Sequence, residues 1–189
     1  MSVFAYCCAS FAKSVRKAAG VQPVLSPPTT WKEFVPDVLT GRSLIYFKLH
    51  GLPNQSWWYG DDWTTALHAD VFRTLKLKGT IVFVANCYLE ESPFLDALLS
   101  TGATIIGSSG PNYAEADGIT GADLLGYTIR VALERHARPS AALHAGKLAL
   151  LGRIATMRSR VKRLSGDRRT EFEARIHANE DTLQFRIYT

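Results

Sequence analysis

Two apolar runs with polar endings constrain the fold of this chain more than any other feature. The first run leads from Ser43 into His50-Gly51, and the second leads from Thr80 into Cys87. Short continuous runs of this kind indicate buried strands of an α/β sheet. Because consecutive parallel strands end at the same edge of a sheet, an imidazole and a thiol are expected to meet there. Imidazole can lower the pKa of a thiol, so the pair predicts a nucleophile and its base.

These residues resemble a known family. A hydrophobic strand that ends in His-Gly, followed by one that ends at a Cys, is similar to the caspase-fold (clan CD-like) cysteine peptidases, which include caspases, gingipains, separases and CHAT domains. The segment 101–110 is similar to the CHAT and gingipain pattern, in which a short strand leads into a loop of small residues. The resemblance covers residues 40–135. It implies a caspase-like three-layer α/β sandwich with a mostly parallel sheet, and a thiol protease without a cofactor.

Each residue of the expected dyad also has a simpler interpretation. A histidine after a strand is usually a polar surface residue, and a cysteine in an apolar run is usually part of the core. The joint placement of His50 and Cys87, with Gly51 next in the chain, favours catalysis. Glycine lets its N–H approach a substrate carbonyl, so the N–H groups of Gly51 and Cys87 are expected to form an oxyanion hole. The family assigns the same role, and a tight turn with positive φ is the alternative for the glycine.

Substrate-binding candidates come from two segments and include several acidic residues. Residues 57–63 hold three of the four tryptophans, which either fold back over the sheet or form a wall of a substrate cleft. Negative charge near the cleft favours cleavage after a basic residue. Helix N-capping is a competing role for Asp62. The full set of candidates is Trp57, Trp58, Asp61, Asp62, Ser108, Ser109, Glu115 and Asp117.

Composition limits the remaining possibilities. The length of 189 residues and the 47% hydrophobic content fit a single domain over 1–189, which is a short family member or a fragment of a longer protein. Two of the three cysteines are adjacent, so neither a disulfide framework nor a metal-ligand spacing is present. A reducing cytoplasmic location without a metal ion is therefore expected. No apolar run is long enough to span a membrane.

The pattern of apolar residues predicts alternating strands and helices. Predicted strands cover 3–8, 21–25, 43–50, 80–87, 103–106 and 182–188. Predicted helices cover 11–19, 30–40, 64–77, 93–99, 119–135 and 141–164. Thr30 and Glu33 form the expected capping box of the second helix. This alternation is typical of a sheet covered by helices.

Three classes of function remain to be compared. A cysteine endopeptidase is favoured, and a catalytically silent caspase-fold interaction module is the alternative. A nucleotide-binding domain is disfavoured because no glycine-rich phosphate loop is present. The net charge of +5 is modest, and the basic segment 147–175 lacks the interleaved aromatic residues of a nucleic-acid site. The expected partners are a protein or peptide substrate and an activating protein, because so small a domain is expected to be latent.

Overall fold

A mostly parallel sheet forms the middle layer of the computed structural model, which describes residues 1–112 and 118–189. Within these residues the sheet has six strands in the order β2-β1-β3-β6-β7-β8, and only β8 runs antiparallel to its neighbour. A separate antiparallel hairpin joins β4 to β5. The strands are β1 (Val3–Cys8), β2 (Val24–Ser26), β3 (Leu44–Lys48), β4 (Trp57–Tyr59), β5 (Thr65–His68), β6 (Ile81–Val84), β7 (Thr104–Gly107) and β8 (Arg186–Tyr188). The predicted α/β sandwich with a mostly parallel sheet is therefore confirmed.

Helices cover both faces of the sheet. They are α1 (Ala12–Ala19), α2 (Pro93–Leu99), α3 (Gly121–Glu134), α4 (Pro139–Val161) and α5 (Gly166–Asp181). One face packs against α2 and the β4–β5 hairpin, and the other packs against α1, α3 and α4. Because both faces are covered, the central strands are buried along nearly their whole length and are mostly apolar rather than alternating. None of the helices in the described part of the chain is both long and apolar enough to cross a bilayer.

Several sequence predictions agree with these bounds. Helix α1 ends at Gly20, whose left-handed φ of 74° terminates the helix as expected. Helix α2 begins with Pro93, as the Ser-Pro pair predicts. Helix α5 was not predicted; it packs on α4 through a small separate cluster that includes Met157 and Ile176. The predicted last strand is shortened, because a 3₁₀ turn occupies Thr182–Gln184.

The predicted helix over 30–40 is wrong. The backbone N–H of Thr30 does donate to the Glu33 carboxylate, at 3.0 Å, but the chain then forms turns and a 3₁₀ helix at Pro36–Leu39. Proline has no N–H to donate and disfavours a helical conformation in the residue before it. Val35 is accordingly extended, with φ −100° and ψ 107°, so the capping box starts a helix that cannot continue.

The predicted helix over 64–77 is also wrong. Residues 65–68 form β5, which pairs with β4, and a 3₁₀ helix follows at Ala69–Phe72. The Trp-rich segment 57–63 thus contains one strand of a hairpin and the 3₁₀ turn that follows it. Burial of Trp58 opposite Leu67 stabilises the hairpin, and this contribution outweighs the helical propensity of residues 64–77. No α-helix begins after Asp62, so its predicted N-cap role is wrong; Asp62 lies in the 3₁₀ turn between the strands, with a left-handed φ of 52°.

Candidate active site

The ends of β3 and β6 are joined by hydrogen bonds that continue past the strands. Phe47 and its neighbours on β3 pair in parallel with β6. Beyond the last paired residues, the Ala85 N–H donates to the Phe47 carbonyl at 2.8 Å, and the Leu49 N–H donates to Oδ1 of Asn86, also at 2.8 Å. The two segments therefore leave the sheet side by side. The histidine and the cysteine that follow them reach the same edge, as the sequence predicts.

Backbone bonds and two aromatic rings hold His50 in place. Its N–H donates to the Tyr59 carbonyl at 2.7 Å, and its carbonyl accepts from the Tyr59 N–H at 2.9 Å. The imidazole lies between Phe11 and Trp63, with ring centroids 5.9 and 5.6 Å away. The hairpin and the start of α1 together therefore position a half-buried imidazole.

Gly51 occupies a place that no other residue can fill. A Cβ built on Gly51 would lie 2.3 Å from the carbonyl oxygen of Cys87, which is a severe clash. The alternative explanation does not apply, because Gly51 has no positive φ. Glycine is needed here so that two backbones can approach closely, which puts the predicted oxyanion donors on adjoining segments.

The Cys87 thiol bonds to Asn112 rather than to His50. The thiol donates to the Asn112 carbonyl at 3.4 Å, and the Asn112 N–H donates to Sγ at 3.2 Å. The Asn112 side-chain amide donates to the Ala85 carbonyl at 2.8 Å, which anchors this loop to the end of β6. The sequence carried no signal for Asn112, because it is 25 residues from the thiol that it contacts.

One small cleft contains both members of the predicted dyad. Its volume is about 220 Å³, which is below the range of about 300–1,000 Å³ that is usual for ligand sites. The structure therefore brings the imidazole and the thiol to one cavity without placing them in a hydrogen bond. The lining residues are Phe11, Lys48, Leu49, His50, Ala85, Cys87 and Asn112.

The three thiols differ in how strongly burial affects them. Burial raises the pKa of Cys7 and of Cys8 to about 12. Burial also raises the pKa of Cys87, while the Asn112 N–H that bonds to it acts in the opposite direction. Cys87 is the only one of the three that is partly exposed. The resting Cys87 is therefore a protonated thiol near neutral pH, and it needs a base before it can act as a nucleophile.

A buried ion pair lies beside the cleft and was missed in the sequence. The Lys48 ammonium forms an ion pair with Asp123 of α3, and their side chains are 2% and 1% exposed. The ammonium also donates to Ser14 of α1 at 3.0 Å and lies 4.3 Å from the ring of Phe11. Tyr46 donates its hydroxyl to Asp123 at 2.7 Å. A lysine inside an otherwise apolar strand was the available signal, because such a charge needs a partner when it is buried.

The three tryptophans of the hairpin have different environments. Trp58 is 1% exposed and stacks on Phe94 with the centroids 3.8 Å apart, so its indole is not accessible to a peptide. Trp57 is half-buried against Trp31. Trp63 is 60% exposed beside His50 and was not among the candidates. Folding back over the sheet is therefore observed for Trp58, and a role of the exposed Trp63 in a substrate cleft stays a prediction.

The polar candidates also differ from one another in burial and in hydrogen bonding. Asp61 accepts hydrogen bonds from the N–H and the hydroxyl of Ser10, at 2.7 and 2.6 Å, whereas Asp62 is exposed to solvent. Ser108 is fully buried and donates its hydroxyl to the Gly110 carbonyl at 3.3 Å. Ser109 is partly buried, with its hydroxyl 3.4 Å from the side-chain oxygen of Gln184. The two remaining candidates, Glu115 and Asp117, lie outside the described residues.

The chain matches no protein-family model, and none of the curated proteins is significantly similar to it. The resemblance to caspase-fold peptidases therefore depends on the motif residues themselves.

The buried ion pair predicts a large effect of removing one partner. We expect Asp123→Asn to lower the free energy of unfolding by about 3–5 kcal/mol, because it leaves the Lys48 ammonium buried without an anion. The matched control is Asp70→Asn, which breaks an exposed pair with Arg73 and should change the stability far less, because solvent screens an exposed pair. Denaturant unfolding measures both. Equal effects of the two substitutions would contradict the account.

The raised pKa of Cys87 predicts a pH-dependent rate of alkylation. Only the thiolate reacts, so with the pKa above its ordinary value the rate should rise about tenfold per pH unit from about pH 7 to about pH 9, without levelling off. Iodoacetamide labelling followed by mass spectrometry measures the rate at each cysteine. Buried Cys7 and Cys8 should label only after denaturation, and Cys87→Ser should remove the native signal. A rate at Cys87 that is constant around neutral pH would show that the resting thiol is already ionised.

Proposed function

We propose that this protein is a cysteine endopeptidase of the caspase-like class. The observation that carries the proposal is the shared cleft of His50 and Cys87 at the carboxyl edge of two adjacent parallel strands. Open α/β sheets place their sites at this edge. The close packing of Gly51 on the Cys87 backbone supports the same proposal, because it accounts for the glycine that follows the histidine.

In the proposed reaction His50 acts first as base and then as acid. It takes the thiol proton of Cys87, and the thiolate attacks the scissile carbonyl. The N–H groups of Gly51 and Cys87 stabilise the negative charge on the carbonyl oxygen. The imidazolium then protonates the leaving amine as the peptide C–N bond breaks, which leaves the acyl group on Cys87 as a thioester. Water hydrolyses this thioester to release the acid and the free thiol.

The resting site is expected to be latent. The thiol is bonded to Asn112, and the cleft is small for a peptide, so the Asn112 loop has to move before substrate binds. Exposed Trp63, beside His50, is placed to contact a peptide or an activating partner. The same observations suit the alternative, a silent interaction module, if the thiol is never released from Asn112. Titration with an electrophilic peptide probe separates these cases, because a silent module leaves Cys87 unlabelled under every activating condition.

Loss of either dyad residue should abolish peptide cleavage. We expect Cys87→Ala and His50→Ala each to lower kcat/KM by about 10⁴-fold or more, because the nucleophile and its base act as a unit. Both residues lie beyond their strands and are partly exposed, so circular dichroism should report an intact fold. Cys7→Ala is the control, since it removes a thiol that does not line the cleft. Turnover retained in purified Cys87→Ala would refute the peptidase proposal.

We also expect the enzyme to cleave after basic rather than acidic residues. Asp62 is an exposed carboxylate on the turn that carries Trp63, while the cation in the cleft, Lys48, is neutralised by Asp123. An acidic substrate residue would face repulsion, because the described lining of the cleft offers it no lysine or arginine other than the paired Lys48. A positional-scanning library of fluorogenic peptides measures the preference, and Asp62→Asn should reduce it. Dominant cleavage after Asp would contradict the proposal and would indicate Lys48 as the recognising group.

A further inference from the structure

Cys8, His50 and Asp61 converge on one point although they are distant in the sequence. The Cys8 sulfur, a ring nitrogen of His50 and a carboxylate oxygen of Asp61 all lie within 4.8 Å of one another. Cys8 ends β1, His50 follows β3, and Asp61 lies in the 3₁₀ turn between β4 and β5. Cys8 is buried, and the other two are half-buried, with His50 also lining the cleft.

We propose that these three side chains form a binding site for a zinc-type divalent transition-metal ion. Thiolate, imidazole and carboxylate together are ligands that Zn²⁺ accepts and that Mg²⁺ and Ca²⁺ do not prefer. In a tetrahedral site with bond lengths of about 2.0–2.3 Å the ligand atoms lie about 3.3–3.8 Å apart. Side-chain rotations that move the ligand atoms by about 1 Å therefore bring the three atoms onto one ion, and a water molecule completes the coordination.

Neighbouring groups hold each ligand in place. Both carboxylate oxygens of Asp61 accept hydrogen bonds from Ser10, which fixes the orientation of the group. The Tyr59 backbone bonds on both sides to that of His50, and the pairing of β1 with β2 fixes the backbone position of Cys8. Such outer bonds orient the ligands of metal sites. A simpler explanation is that Asp61 only forms hydrogen bonds with Ser10 at the surface. This explanation accounts for the position of the carboxylate, but it does not account for the buried thiol and the imidazole beside it.

Metal binding would inhibit the proposed peptidase, and this consequence rests on the proposed function. A neutral imidazole has one nitrogen lone pair that can bind either a proton or a metal ion. Once His50 donates that pair to a metal ion, its other nitrogen carries a proton and cannot accept one from Cys87. The metal displaces the proton of Cys8, which passes to solvent as the sulfur–metal bond forms. The site would thus hold the enzyme inactive until the ion is removed.

Binding of Co²⁺ to the full chain tests the site without any peptidase assay. The background is Cys87→Ser, so that the cleft thiol cannot contribute a ligand. We expect one ion per chain and a thiolate-to-cobalt charge-transfer band, which Zn²⁺ displaces and Mg²⁺ does not. Cys8→Ala should remove the band, and Cys7→Ala should retain it. Absence of binding, or a band that survives Cys8→Ala, overturns the proposal.

Further variants cover the case in which Cys8→Ala does not fold. Asp61→Asn and His50→Ala alter half-buried ligands, and each should weaken Co²⁺ binding by at least about tenfold. Ser10→Ala removes only one of the two hydrogen bonds that orient Asp61, so it should weaken binding less than Asp61→Asn does. Asp62→Asn, on the adjacent exposed carboxylate, is the control and should bind as tightly as the parent. Equal affinity in Asp61→Asn and Asp62→Asn overturns the assignment.

The inhibition is tested separately on active protein. Zn²⁺ should suppress peptide cleavage, and a chelator should restore it. When the rates of each protein are normalised to its own zinc-free rate, Asp61→Asn should need at least about tenfold more Zn²⁺ for half-inhibition than the parent does. Inhibition that is unchanged in Asp61→Asn overturns the regulatory role and indicates that zinc binds the dyad instead. Co²⁺ binding in a chain with no peptidase activity would retain the metal site and refute only the proposed function.

Discussion

The parallel pairing of β3 with β6 determines where both candidate catalytic residues lie. A slip of one residue in this pairing would turn the side chains that follow to the opposite face of the sheet. The register is held beyond the strands by the Leu49–Asn86 hydrogen bond and by the packing of Gly51 on the carbonyl of Cys87. The site therefore depends on backbone contacts more than on any attraction between the imidazole and the thiol.

The pairing also explains which parts of the structure could be predicted. The strand ends at His50 and Cys87 follow from local apolar runs and a general rule of parallel sheets, so the sequence alone predicts that they meet. The hairpin does not follow from local patterns, because burial of Trp58 on Phe94 overrides the helical propensity of residues 64–77. Contacts of Asn112 depend on how distant segments pack, and no spacing in the sequence encodes them. The capping box at Thr30 failed for the opposite reason, because a correct local signal is stopped by a proline.

The ion pair between Lys48 and Asp123 joins three elements of the fold. It links β3 to α3 and, through Ser14, to α1, so the helical layer on that face is tied to the strand that leads into His50. Buried pairs of this kind add little net stability compared with apolar residues of similar size, but they are costly to break. The pair therefore serves better as a constraint on the packing of α3 than as a source of stability.

The two edges of the sheet have a consequence for the behaviour of the protein at high concentration. In the described chain the edge strands β2 and β8 are three residues long, and two prolines follow β2 directly. Proline cannot donate a hydrogen bond to an incoming strand, and a short edge offers few unpaired backbone groups. Edge-to-edge association of sheets, which is a common route to aggregation, is therefore disfavoured at both margins, and the central strands stay enclosed between them.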